Sequence, residues 1–283
     1  MRENILPALT IRQLRFSWQR PAAWSGDLVA MGCRLRGSLG LALKSGCCFF
    51  DAKKTPCDGC LKRPYCHYGQ AFEAPKAVQI SGVGRMASLP HAWSLTVDQV
   101  GLHCEAHLNL AGMTLAHESS WQAAIEALPL EVVWQESIWI NLPFSYTWQG
   151  VTPVRLRLKG KSPRTKAEVS QAIVTSIVSK SRMLALLHGQ AAPEAFLAEP
   201  YCLALQWHEA SRYAFREGEK QSLSGWLSHI RWPETVPEAW LPWLQLSQVL
   251  GVGRQTSFGL GRFVPSTDDV TGENHGSEPF KRQ

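Results

Sequence analysis

No stretch of this chain is long and apolar enough to span a bilayer. Its opening residues, MRENILPALTIRQ, carry charges and a proline where a signal peptide needs an apolar core, which predicts a cytosolic protein. Several reactive signatures are missing as well. There is no Gly-Lys-Ser/Thr opening a helix, so no Walker loop. There is no GxGxxG between a strand and a helix, so a dinucleotide fold has no support. HExxH, GxSxG and a dense carboxylate cluster for magnesium are all absent from the sequence. Charge is scarce too, at 18% Asp, Glu, Lys and Arg. The balance is 29 − 23 = +6, a mild excess that allows a polyanionic partner without requiring one.

What is present suits a folded, two-domain protein. The 283 residues are 45% hydrophobic, which excludes a disordered chain. Twelve tryptophans read as core and inter-domain filling, with a few available as stacking platforms for bases. Ile11, Leu14, Phe16 and Trp18 form a strand pattern, and a break follows at Pro21 to Gly26. Leu35, Leu39, Ala42 and Leu43 fall at helical spacing, closing on Gly46. Alternation from Leu102 to Leu110 predicts a half-buried strand. Ser119 is placed to cap a helix running to about Leu128, and residues 130–142 read as another strand. That order matches a split βαβ sandwich with an antiparallel sheet.

Composition shifts around Pro143 to Pro153, where we place the domain boundary. The expectation is an N-terminal domain over 1–143 with a cysteine-rich loop at 47–68. A C-terminal domain over 144–265 follows, with a helical segment at 164–188 and a glycine-rich loop at 251–262. Strands are expected at VRLRLKG and Tyr201 to Trp207, and a helix at Val236 to Leu250. The polar residues 266–283 predict a disordered tail.

Three patterns can carry chemistry. Cys57-x-x-Cys60 followed by Cys66 can bind one tetrahedral metal from a tight turn. Cys48, Cys57, Cys60 and Cys66 form the candidate structural zinc set, with His67 as a substitute ligand; free thiols or an iron–sulfur cluster are the alternatives. Gly251, Gly253, Gly259 and Gly261, with Arg254 and Arg262, read as a plain turn or as a phosphate cradle built from backbone N–H groups. Arg155, Arg157, Lys159, Lys161, Arg164, Lys166, Lys180 and Arg182 face only one acid, Glu168. They read as a phosphate-tracking surface or a solvated face, with Arg155, Arg157 and Lys159 on one side of a strand.

Five segments in order resemble the CRISPR repeat-processing endoribonucleases of the RAMP superfamily: LRGSLGLALK (35–44), CDGCLKRPYCHYGQAFE (57–73), VTPVRLRLKGK (151–161), WHEASRYAFREGEKQSLSGW (207–226) and LGVGRQTSFGLGRF (250–263). The resemblance implies an α+β fold of two ferredoxin-like (RRM-like) domains in tandem, here with a helical insertion and a cysteine-rich loop. It implies metal-independent cleavage of a CRISPR repeat hairpin by the 2′-hydroxyl, with no cofactor for catalysis. The guide RNA would be kept for an interference complex of other subunits.

The sequence departs from that family at one position. The first helix often carries a histidine before the Ala-Leu pair, and this chain has Leu41 there. A leucine cannot transfer a proton. Arg34, Arg36 and Lys44 are the nearby cationic candidates, and Tyr65, His67 and Tyr68 can also reach a cleft. A missing histidine resembles the type IV branch. The alternatives are a non-catalytic CRISPR repeat RNA-binding subunit and a zinc-containing DNA-binding protein.

Overall fold

The computed structural model describes residues 10–21, 27–48, 50, 57, 59–73, 76–80, 84–88, 91–140, 144–187, 190–214 and 219–266. The tail expected at 266–283 lies, past Ser266, outside the described residues.

Strand β1 (Ile11–Gln19) buries Leu14, Phe16 and Trp18 on one face, as its alternation requires. Helix α1 (Leu28–Cys47) starts a full two turns before its expected core. Its start is set by Asp27, whose carboxylate accepts the Ala30 N–H at 2.7 Å. Met31, Leu35, Leu39 and Leu43 recur every fourth residue and are buried against the sheet. Next come the short helix α2 (His67–Phe72) and the hairpin β2 (Lys76–Ile80) and β3 (Gly84–Ser88). Strands β4 (Trp93–Val100) and β5 (His103–Ala111) form a second hairpin, turning at Gly101 with φ +63°. Helix α3 (Glu118–Glu126) and strand β6 (Val132–Ile140) complete this half. Ser119 does not cap α3: the helix already includes it, and His117 stands at the cap position.

The sheet order is β4-β5-β1-β6, antiparallel throughout. With α1 and α3 as crossovers, this is the ferredoxin-like β-α-β-β-α-β arrangement. The second half repeats it. Strand β7 (Thr147–Gly150), helix α4 (Lys166–Leu187), strand β8 (Tyr201–His208), strand β11 (Gly225–Arg231), helix α5 (Leu241–Leu250) and strand β12 (Phe263–Pro265) give the order β12-β7-β11-β8. A hairpin, β9 (Ser211–Ala214) and β10 (Glu219–Ser222), interrupts it between β8 and β11. The helical segment expected at 164–188 is therefore the first crossover helix of the second unit. Helix α5 starts at Leu241, later than Val236, because Pro237 precedes a 3-10 turn at Glu238–Trp240 and Pro242 then sits in its first turn.

Each sheet has its own core. One gathers Leu14, Phe16, Leu35, Leu39, Trp93 and Trp121; the other gathers Trp148, Ile173, Ile177, Trp232, Trp240 and Trp243. Most tryptophans named here are core residues, whereas Trp134, Trp139 and Trp207 stay 36%, 59% and 45% exposed. Those three are where the stacking-platform reading survives.

Candidate nucleic-acid interface

The segment expected as a strand at VRLRLKG follows β7 but makes only isolated bridges: Val154 to Trp226, Arg155 to Arg254, and Leu158 to Lys161. Val154 and Leu156 point inward and are buried. Alternation therefore turns Arg155 and Arg157 outward. The chain then reverses at Lys159, whose φ of 48° is left-handed, so Lys159 and Lys161 flank a turn instead of sharing a strand face with Arg155. Lys159, Lys161, Arg164, Lys166 and Arg182 are exposed. Lys166 spends a hydrogen on the Leu203 carbonyl at 2.6 Å.

The glycine-rich loop lies against this segment, and its glycines serve packing. A Cβ on Gly261, at φ +71°, would run into the Val252 carbonyl; one on Gly253 would lie 2.7 Å from the Arg155 carbonyl. Of the two readings of this loop, its backbone hydrogen bonds follow the plain turn. The N–H groups of Val252, Gly253, Arg254, Gly261 and Arg262 donate to Gly261 O, Ser176 Oγ, Arg155 O, Pro153 O and Thr152 Oγ1. With those donors taken, anion contact from this loop falls to side chains, and Arg254 is exposed to make it.

Two residues expected to bind RNA are engaged elsewhere. Lys180 is buried, and its Nζ donates to Gly251 O at 2.6 Å and Thr256 Oγ1 at 3.2 Å. Burial holds its pKa down to about 7. It ties α4 to the carboxyl end of α5 and does not face solvent. Arg262 donates to both oxygens of Asp98 at 2.7 and 2.8 Å, joining the loop to the end of β4.

The helix-1 candidates divide in the same way. Arg34 is exposed. Arg36 is half-buried among three rings, 4.1 Å from the Phe258 centroid, 4.9 Å from Phe72 and 5.7 Å from Trp93, and its Nε donates to Ser257 Oγ at 3.3 Å. Lys44 is buried with Nζ 5.6 Å from the Tyr68 ring, and buried Tyr68 donates to Glu73 Oε1 at 3.0 Å. These contacts tie Arg36, Lys44 and Tyr68 into the packing around α1. Leu41 is 65% exposed in a groove between α1 and α3, lined also by Ser38, Ser45, Ser119 and Ser120. One edge of that groove reaches a histidine pair: His67 Nδ1 is 2.8 Å from Ser120 Oγ, and the His67 and His117 rings stack at 3.5 Å. Burial, and then the neighbouring His67, hold the His117 pKa down.

The cysteine expectation changes in one member. Cys47, the last residue of α1, brings its sulfur 3.7 Å from Cys66, whereas Cys48 is the extended residue just past the helix. Two thiolates on one tetrahedral zinc at about 2.3 Å sit roughly 3.8 Å apart, so this pair has a ligand spacing. Cys47, Cys57 and Cys66 pack against the first core. Among the described residues, no group of three or more metal-binding side chains converges. Burial, then the adjacent Cys66, pushes the Cys47 thiol up to about 11.

What the sequence reading missed is an open cavity of about 420 Å³. Arg155, Arg157, Arg254, Trp207 and Gln255 line it. Its arginines were visible in the sequence; what was not is that Trp207, in an edge strand, faces the same cavity.

Comparison with known proteins places this architecture. Residues 149–263 match the family model of the CRISPR-associated endoribonuclease Cas6, and residues 10–120 match a model described as an N-terminal domain. No curated protein matches the chain. Among solved structures, a Cas6 product complex is 15% identical at TM-score 0.53, covering 91% of this chain and 99% of its own. A RAMP protein binding different RNA substrates is 8% identical at TM-score 0.53, with 90% and 98% covered. A CRISPR-associated protein Cas6 is 8% identical at TM-score 0.50, with 91% and 99% covered. At these identities the structures speak for the fold alone: tandem ferredoxin-like units. The Cas6 model covers 149–263, within the second unit. No helix of the described residues is long and apolar enough to cross a membrane.

Proposed function

We propose that this chain is a metal-independent endoribonuclease. It binds the CRISPR repeat hairpin, cleaves precursor CRISPR RNA, and keeps the guide for an interference complex in the cytoplasm. The observation that carries this is the row of outward arginines, Arg155, Arg157 and Arg254, gathered within the segment matching the Cas6 model. None of the three forms an ion pair with a described residue. An A-form hairpin offers phosphates and 2′-hydroxyls to such a surface.

In the reaction, the 2′-oxygen loses its proton and bonds to phosphorus while the bond to the 5′-oxygen breaks. The products are a cyclic phosphate and a 5′-hydroxyl, the leaving oxygen having taken up a proton. With Leu41 at the histidine position, rate comes from in-line alignment and from cationic stabilisation of the phosphorane-like charge. Arg34 is the exposed cation of α1 for that role, while Arg36, Lys44 and Tyr68 hold α1 against the glycine-rich loop and α2.

Repeat RNA incubated with the protein in excess chelator should give one cut, blocked by a 2′-deoxy nucleotide at the cut site. A cut that disappears with chelator, or survives the deoxy substitution, overturns this mechanism. Serines and aliphatic residues around Leu41 favour a second reading, a non-catalytic subunit that holds the repeat hairpin without cutting it.

A structural zinc is a separate proposal: Cys47 and Cys66 stand at a ligand spacing, and metal binding would have to draw Cys57 and Cys60 in, since no third metal-binding side chain converges with them among the described residues. It would tie α1 to α2 and take no part in cleavage. Cys66→Ser should then lose its metal in elemental analysis of the purified protein; unchanged metal content removes the site.

A further inference from the structure

The cavity beside the glycine-rich loop is built from charge and one aromatic wall. Arg155 and Arg254 are bridged partners, so their guanidinium stems start side by side, and Arg157 follows on the same outward face. Arg155 donates through Nη1 to Gln255 Oε1, and Gln255 is one of two non-glycine residues at positive φ among the described residues, at 61°. Strained backbone of this kind persists where surrounding structure holds a side chain in place. Here it holds a guanidinium at the cavity rim. Burial, then the charges of Arg254 and Arg157, draws the Arg155 pKa down. Like charges without a carboxylate are mutually repulsive until an anion arrives, so the cluster is set for phosphate.

The opposite wall is Trp207 on β8, paired across the sheet with Trp226 on β11. Trp226 donates its Nε1 to the Pro163 carbonyl at 3.0 Å and stands edge-to-face with Trp207, centroids 4.9 Å apart at 76°. That fixes the Trp207 ring while leaving 45% of the residue exposed. The floor comes from Gly225, where any Cβ would lie 2.5 Å from the Val154 carbonyl. A fixed, half-open indole facing unneutralised arginines suits a planar anion of modest size, and at about 420 Å³ the space is within the range of small-ligand sites.

We infer that this cavity takes one unpaired ribonucleotide of the bound RNA, its base stacked on Trp207 and its phosphate held by Arg155, Arg157 and Arg254. The inference rests on the RNA-processing reading and adds to it a position where the RNA is read outside the duplex. Stacking is sequence-tolerant, because every base has a π-face.

The test measures binding of repeat RNA across a range of salt. Trp207→Ala should weaken binding by roughly 5- to 150-fold with an unchanged salt slope. Trp207→Phe should recover most of that loss. Arg254→Ala should weaken binding and reduce the slope by about one. Independently of any variant, abasic substitutions scanned along the repeat should reveal one unpaired position at which base loss weakens wild-type binding as much as Trp207→Ala does. At that position Trp207→Ala should cost nothing further. A scan in which no unpaired base matters, or full affinity in Trp207→Ala, overturns the inference while leaving RNA binding intact. Absence of any binding to repeat RNA would instead remove the functional reading on which it stands.

Discussion

Arg36 and Lys180 are the cations whose surroundings most change their meaning. Arg36 meets the rings of Phe72, Trp93 and Phe258 and the hydroxyl of Ser257, so its charge is used to hold α1 against the glycine-rich loop. Desolvated cation–π contacts reach about 2 kcal/mol, and the stem adds packing. Arg36→Ala should therefore lower unfolding stability by roughly 2–3 kcal/mol in a urea titration; a large loss of cleavage rate with stability intact would return Arg36 to the reaction. Lys180 gives a pH signature. Its folded pKa of about 7 lies below the ordinary 10.5, so between these values the unfolded chain binds more protons and stability rises with pH. The limit is about 1.4 kcal/mol per pH unit for one proton. Urea unfolding at pH 7, 8 and 9 should show that rise in the wild type and lose it in Lys180→Met; parallel slopes would mean that the amine is solvated. His91 acts in the same direction lower down. Burial, then Arg36, holds its pKa at about 4, so stability falls as pH drops from 6.5 towards 4.

The glycine-rich loop is the element whose chemistry the sequence suggested and the packing redirected. Four glycines and two arginines spell a phosphate loop in one dimension. In three, its donors face Arg155, Ser176, Pro153 and Thr152, residues far upstream whose approach no local pattern announces. Gly261→Ala tests this, since φ +71° and the Val252 carbonyl both exclude a methyl group. We expect a loss of several kcal/mol, read as a lowered melting temperature with weakened RNA binding; a folded variant with normal stability would show that the glycine serves only the ligand. Elements with strong periodicity were legible throughout: β1, the core of α1, β5, β6, α4 and β8 all follow from alternation or from a fourfold stripe. The hairpins β2–β3 and β9–β10 carry no such stripe. At the site, the exposed arginines were readable because unpaired charge needs no tertiary partner. Lys180 and Arg262 were not, because the Gly251 carbonyl and Asp98 lie 71 and 164 residues away.

The two ferredoxin-like sheets are joined by polar groups as well as by their loops. Gln13 Nε2 on β1 donates to Asn109 Oδ1 at 2.7 Å; Asn109 Nδ2 on β5 donates to Ser94 Oγ at 3.1 Å; Ser94 on β4 donates to the Val249 carbonyl of α5 at 2.7 Å. All three side chains are buried, so each hydrogen bond offsets a desolvation that water cannot relieve. Arg262 with Asp98 and Arg36 with Ser257 flank this relay from the glycine-rich loop. Such a seam makes the halves one cooperative unit, and it sets where the arginine cavity sits relative to α1, hence where a bound phosphate meets any reacting group. Ser94→Ala leaves the Asn109 Nδ2–H without its acceptor and the Val249 carbonyl without the serine donor, and should cost about 1–3 kcal/mol. Adding Asp98→Ala should weaken the same seam, and the combined loss should depart from the sum of the singles by at least ~0.5 kcal/mol, because both contacts stabilise one approach of the loop to β4. Wild-type unfolding followed by tryptophan fluorescence and by far-ultraviolet circular dichroism should give one coincident transition, and the double variant two. Strict additivity with a single transition would show that the sheets are held together by their apolar contacts alone, and that the polar relay merely satisfies groups already buried.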